Sequence, residues 1–164
     1  MIPERGGLDS VRRLMLTTDG TVTPMLEHLV GERLLVARLV QSYGTADNRT
    51  RTVLATSGDG EFLFRSSELV GADSGTTYVR ATSVGVPHAL PPAVRTGLLR
   101  TQEPIGRLLR RNRTETFREI LDVDLRTGSG SAEACRRYRI FVGGAPALLI
   151  TETFLWDQLR DALA

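Results

Sequence analysis

A carboxylate stands among large apolar side chains near the end of the chain. In "GGAPALLITETFLWDQL", residues 143–159, an extended backbone puts Leu148, Ile150, Glu152, Phe154 and Trp156 on one side, because strand side chains alternate between faces. Two chemistries fit Glu152. At the edge of a core it pairs with one of the many arginines. Inside an apolar pocket, desolvation raises its pKa and makes it a proton donor or acceptor near neutral pH. In "RTRTVLAT", read as a strand, Arg51 shares a face with Val53 and Ala55 and also points inward. Arg51 and Glu152 then form a buried ion pair, or they hold the two ends of a small anion, with the guanidinium fork on its carboxylate.

Other chemistry is scarce in the sequence. His28 and His88 are far apart and lack a second ligand at helical spacing, so no metal site is expected. Cys135 is the single cysteine and reads as a packing residue. There is no glycine-rich phosphate loop, nucleophile elbow or dinucleotide fingerprint. All 21 basic residues are arginine, yet the net charge is only +2. The basic run "RLLRRNR", Arg107 to Arg113, fits a solvated helix end or the steering of a small anion. It carries no interleaved aromatics for base stacking, so nucleic acid is not expected as a partner.

With 164 residues, 41% hydrophobic and 24% charged, the chain has the composition of one globular domain, 1–164. Its apolar stretches fall short of the roughly 20 residues of a membrane-spanning helix. The N-terminus carries Glu4 and Asp9 and no signal-peptide core, so a cytoplasmic protein that does not engage membranes is expected.

The elements that must position these residues follow from local patterns. "GLDSVRRLML" reads as a short helix, and "TPMLEHLVGE" as another, with Thr23 as N-cap and Gly31 just past its end. "ERLLVARLVQSY" leans toward a strand. "RTRTVLAT" and "EFLFRSSEL" flank "SGDG" and read as neighbouring antiparallel strands. "VGADSGTTYVRATSVGVPHA" reads as a long surface connection. "LPPAVRTGLLRTQ" and the segment opened by Pro104 read as helices, and "TETFREILDVDLR" as a half-buried strand. "TGSGSAEA" reads as a loop, after which "RRYRIFV" and "ALLITETFLW" pair across "GGAP". The expected fold is a single α+β domain with a mostly antiparallel sheet and helices on one face.

"EPIGRLL", "RTETFREI" and "RRYRIFVGGAPALLITETFL" resemble, in order and spacing, the motifs of the chorismate pyruvate-lyase family, which makes 4-hydroxybenzoate. "RTVLATSGDGEFLF" and "DGTVTPMLE" extend the resemblance, which runs from about Thr17 to Trp156 and is nearest to short actinobacterial-type members. It implies a ligand pocket sealed beneath helical flaps. Arg51 matches the arginine that binds the ring carboxylate, and Glu152 the glutamate at the opposite end of the ring. Val22 and Ile105 match positions that offer backbone N–H groups. Arg65 is the first candidate for the second carboxylate of chorismate, ahead of Arg137 and Arg139.

The implied reaction removes pyruvate from chorismate without metal or cofactor, with Arg51 as anchor and Glu152 as general acid or base. The state is monomer or homodimer. Phe64 departs from the family's glycine, which would narrow the pocket. Two alternatives stay open: a lyase acting on a related enolpyruvyl or cyclic carboxylic acid, and a non-catalytic binder of small aromatic acids. The effector domains of GntR-type repressors resemble the family, and with only about 16 residues ahead of the first matching motif a repressor is not expected.

Overall fold

The computed structural model describes residues 4–128 and 131–164, with side chains described for 10–124 and 133–164. Helices α1 (Glu4–Thr17) and α2 (Val22–Val30) come first, followed by strand β1 (Leu34–Gly44), helix α3 (Asn48–Val53) and strands β2 (Phe62–Gly71) and β3 (Thr77–Gly85). A 3₁₀ turn at Pro87–Ala89 leads into α4 (Pro92–Arg100) and α5 (Ile105–Arg111). Strands β4 (Thr116–Gly128), β5 (Ser131–Val142) and β6 (Ala145–Leu155) and helix α6 (Trp156–Leu163) complete the chain. The strands form one antiparallel sheet in the order β1-β2-β3-β6-β5-β4, the α+β architecture expected.

Local chemistry explains several elements. The β5–β6 hairpin turns at Gly143 (φ 58°) and Gly144 (φ 82°), and a two-residue turn with both φ positive matches the twist of the strands it joins. Helix α2 ends at Gly31 (φ 74°), whose N–H donates to Glu27 O. It starts at Val22 behind Thr21, two residues earlier than the Thr23 cap expected.

One face of the sheet carries most of the helices. Met15 and Leu16 of α1, Leu26 of α2 and Leu159 of α6 pack with Val79, Phe154 and Ala134. Val94 and Leu98 of α4 and Leu108 and Leu109 of α5 pack with Ile140, Leu148 and Ile150. The helices are not all on this side, however. Leu54, just after α3, joins Phe62, Val86 and Leu149, and Leu149 points away from Leu148 and Ile150.

Other expectations are corrected. "RTRTVLAT" is α3 and the turn after it, not a strand. Asp47 caps it, accepting the Thr50 N–H at 2.7 Å, and this cap outweighs the β-branched content. "SGDG" therefore joins no pair of neighbouring strands, and β2 lies between β1 and β3. The supposed surface connection contains β3, an interior strand of the sheet whose Val79 is fully buried against Phe154 of β6. Its Thr, Ser and Gly content hides a strand whose partner is remote in sequence. In "TGSGSAEA" the strands pair out to Gly128 and Ser131, and residues 129–130 lie outside those described. Trp156 begins α6 and does not extend the strand face.

Candidate functional site

Cross-strand pairing builds the site. Arg65, Ser83, Ile150 and Tyr138 lie opposite one another across β2, β3, β6 and β5, and two residues along each strand Ser67, Ala81, Glu152 and Arg136 form the next row. Directly paired residues share a face, so both rows lie beneath the helices. All of them but Arg136 floor a cavity roofed by Thr21–Thr23 at the start of α2 and by Pro104–Gly106 at the start of α5. The two roof segments meet closely: a Cβ on Gly106 would stand 2.5 Å from Thr21 Cγ2. Glycine at that position lets the roof close.

Glu152 is held at both oxygens. Arg136 Nε donates to Oε2 at 2.8 Å, and the Tyr138 hydroxyl donates to Oε1 at 3.0 Å. Arg136 is only 1% exposed, and its Nη1 donates to the carbonyls of Met15 (3.0 Å) and Thr18 (2.7 Å) at the end of α1. A charge so deeply buried needs an opposite charge and filled hydrogen bonds, and Glu152 with the two carbonyls supplies them. The guanidinium also lies 4.7 Å from the Tyr138 ring centroid. Burial first, and then the Glu152 charge, push the Tyr138 phenol well above its ordinary pKa, so it stays a donor.

Arg65 of β2 and Arg118 of β4 line the same cavity from strands that flank β3, β6 and β5 on the one covered face. Arg65 donates to Gln41 Oε1 (3.2 Å), Leu98 O (3.3 Å) and Glu103 O (2.7 Å), and burial lowers its pKa from the usual arginine value. Arg118 reaches Asp19 O (3.4 Å) and Thr21 Oγ1 (3.2 Å). Neither forms an ion pair with a carboxylate among the described residues. Val22 and Ile105 also line the cavity, each the first residue of its helix, where the backbone N–H has no intrahelical acceptor.

The structure therefore brings Glu152, Arg65, Val22 and Ile105 together and leaves Arg51 outside. Helix α3 lies on the opposite face, where Arg51 Nε donates to Ala46 O at 2.9 Å and Nη1 meets Asp59 at 3.3 Å. Phe64 packs on that same face and does not line the cavity, so it does not narrow it. Arg137 and Arg139 alternate with Arg136 and Tyr138 on β5 and point the same way as Phe64. Arg139 donates to Glu119 and to Val53 O there.

The residues that sequence reasoning missed are Arg136, Tyr138 and Arg118. Counting back from the GGAP turn would set Cys135 opposite Glu152. A bulge at Ala147 shifts the register by one and sets Arg136 there. Among the described residues no group of three His, Cys, Asp or Glu is arranged to hold a metal ion, and no helix is long and apolar enough to cross a membrane.

Comparison with known proteins agrees in fold and in family. A family model described as Chorismate pyruvate-lyase Rv2949c-like matches residues 16–163. The chain is 32% identical to the chorismate pyruvate-lyase of Mycobacterium leprae (strain TN), over 94% of this chain and 78% of that protein. It is 29% identical to the enzyme of the same name from Mycobacterium tuberculosis (strain ATCC 25618 / H37Rv), over 92% and 82%. Among solved structures, the effector domain of PhnF from Mycobacterium smegmatis superposes with a TM-score of 0.63 at 16% identity, over 84% of this chain and 90% of that one. A gene product from Staphylococcus aureus, SA0254, superposes with a TM-score of 0.58 at 13% identity, over 76% and 85%. Those identities bear on the fold alone.

Proposed function

The chain belongs to the Rv2949c-like chorismate pyruvate-lyase family, and on that premise we propose that it eliminates pyruvate from chorismate to leave 4-hydroxybenzoate in the cavity beneath α2 and α5. One observation carries the reading. The cavity holds two guanidinium groups without acidic partners among the described residues, Arg65 and Arg118, beside a glutamate whose charge Arg136 already offsets. Its unmet charge complements a dianion, and chorismate carries two carboxylates.

The reaction is redox-neutral and calls for no cofactor. The C–H bond at the hydroxyl-bearing ring carbon breaks, the neighbouring C–O bond to the enolpyruvyl group breaks, and the electrons freed from the C–H bond complete the aromatic ring. The oxygen leaves with the C–O bonding pair as an enolate, which takes a proton at its methylene carbon and becomes pyruvate. Arg65 and Arg118 hold the two carboxylates, the first N–H groups of α2 and α5 add donors, and Glu152 takes the ring proton. The anchoring role assigned to Arg51 from the resemblance passes to Arg65, because Arg51 stands across the sheet.

The test is to mix purified protein with chorismate, follow pyruvate by a coupled assay and identify the aromatic product by chromatography. Pyruvate and 4-hydroxybenzoate in equal amounts support the proposal. A different aromatic product reassigns the substrate within the same pocket. No consumption by folded protein that still binds 4-hydroxybenzoate overturns catalysis and leaves a binder of small aromatic acids.

A further inference from the structure

Resting on that reading, one cavity residue has a definite geometry and no assigned part. Tyr138 lies 5% exposed on β5, its ring beneath the Arg136 guanidinium and its hydroxyl on Glu152 Oε1 at 3.0 Å. It lines the same cavity as Glu152. We infer that Tyr138 is a positioning residue: its O–H fixes Glu152 as an acceptor facing the cavity, so that Glu152 removes a proton from the substrate and does not supply one.

The geometry supports this at each atom of the carboxyl group. Oε2 accepts from Arg136 Nε and Oε1 accepts from Tyr138, so both oxygens already face donors. A proton placed on either oxygen would have to share that oxygen with a donor already present. Each oxygen keeps a second lone pair for a substrate proton. The tyrosine is held in place by its own surroundings. Ile150 stands opposite it on β6, and Arg136 is anchored to the end of α1 through two carbonyls. Phenylalanine at this position would keep the ring and its contact with Arg136 and lose only the hydroxyl. The substitution therefore isolates the hydrogen bond.

The sign of the effect follows directly. Removing a donor from a carboxylate raises the pH at which it protonates. In Tyr138→Phe the acid limb of the kcat profile should move up by about one pH unit, and kcat at neutral pH should fall about tenfold. The affinity for 4-hydroxybenzoate measured above that limb should change less than kcat. A ring-fluorinated tyrosine at the same position is a stronger donor and should move the limb down. A merely structural role would not produce shifts of opposite sign.

A second readout does not depend on turnover. The Glu152 carboxyl carbon, labelled with carbon-13 and assigned by its loss in Glu152→Gln, is titrated by NMR in the wild type and in Tyr138→Phe. A higher midpoint in Tyr138→Phe supports the inference. An unchanged midpoint overturns it. If the wild type leaves chorismate untouched, the elimination reading fails by itself, and the titration still decides the role of Tyr138 toward Glu152.

Discussion

The two faces of the sheet use the same residue type to opposite ends, and strand β5 shows it within four consecutive residues. Arg136 and Tyr138 face the helices, where Arg136 is fully buried on Glu152. Arg137 and Arg139 face the other side, where Arg139 pairs with Glu119 at 25% and 42% side-chain exposure and lies over Phe141. Beneath the helices Arg65 and Arg136 are almost completely buried, and charges so placed must be matched by a protein group or by a ligand. On the far face solvent shares that task, and an arginine there is compatible with many arrangements. Charge with no acidic partner among the described residues, at buried Arg65 and half-buried Arg118, is therefore the informative feature of the covered face. The same side chain at Arg51 is not.

The comparison can be broken most easily at Arg136. Arg136→Met leaves the Glu152 charge without its partner and should cost about 3–5 kcal/mol of stability in urea unfolding, whereas Arg139→Met should cost about 1 kcal/mol or less. Equal costs would mean that the faces do not differ as described. Glu152→Gln should lower kcat by about 100-fold or more in the chorismate assay, with circular dichroism unchanged. Calorimetric titration with 4-hydroxybenzoate sharpens the contrast between arginines. Arg65→Ala should weaken binding by about 2–3 kcal/mol, and Arg51→Ala should leave the affinity unaltered. A loss in Arg51→Ala would return that residue to the site.

The smallest expected effect lies at the β2–β3 turn. Glu32 accepts from the Ser74 hydroxyl (2.6 Å), from the Asp73 and Ser74 N–H groups and from Tyr78. The Ser74 contacts do most to lower its pKa from 4.5 to about 2. A depressed folded-state pKa gives stability that is present above about 4.5 and is lost as pH falls toward 2. Glu32→Gln should flatten that part of the stability profile, as followed by thermal melts across pH. An unaltered slope would show that the turn contacts do not hold the carboxylate in solution.

Much of this site was legible where the signal is local. Glu152 stands out because a period of two places it among apolar neighbours, and the glycine pair at the GGAP turn marks the hairpin that carries it. The prolines before α4 and α5 mark those helices, and with them Ile105 on the roof. The failures have two origins, one local and one remote in sequence. Asp47 folds "RTRTVLAT" into a helix through a cap that competes with its β-branched residues, and this moved Arg51 to the wrong face. Strand β3 is poor in large apolar residues apart from Tyr78, Val79 and Val84, and it is fixed by pairing with β6, far along the chain.

The sequence by itself determined the class of fold, the closing hairpin and the odd carboxylate within it, because periodicity and turn chemistry act over a few residues. Only the tertiary structure decided which arginines meet that carboxylate and its cavity. One residue of bulge at Ala147 chooses Arg136 over Cys135, and the strand order brings Arg65 of β2 and Arg118 of β4 around the same space. Register and strand order depend on contacts between distant segments, and no local preference encodes them.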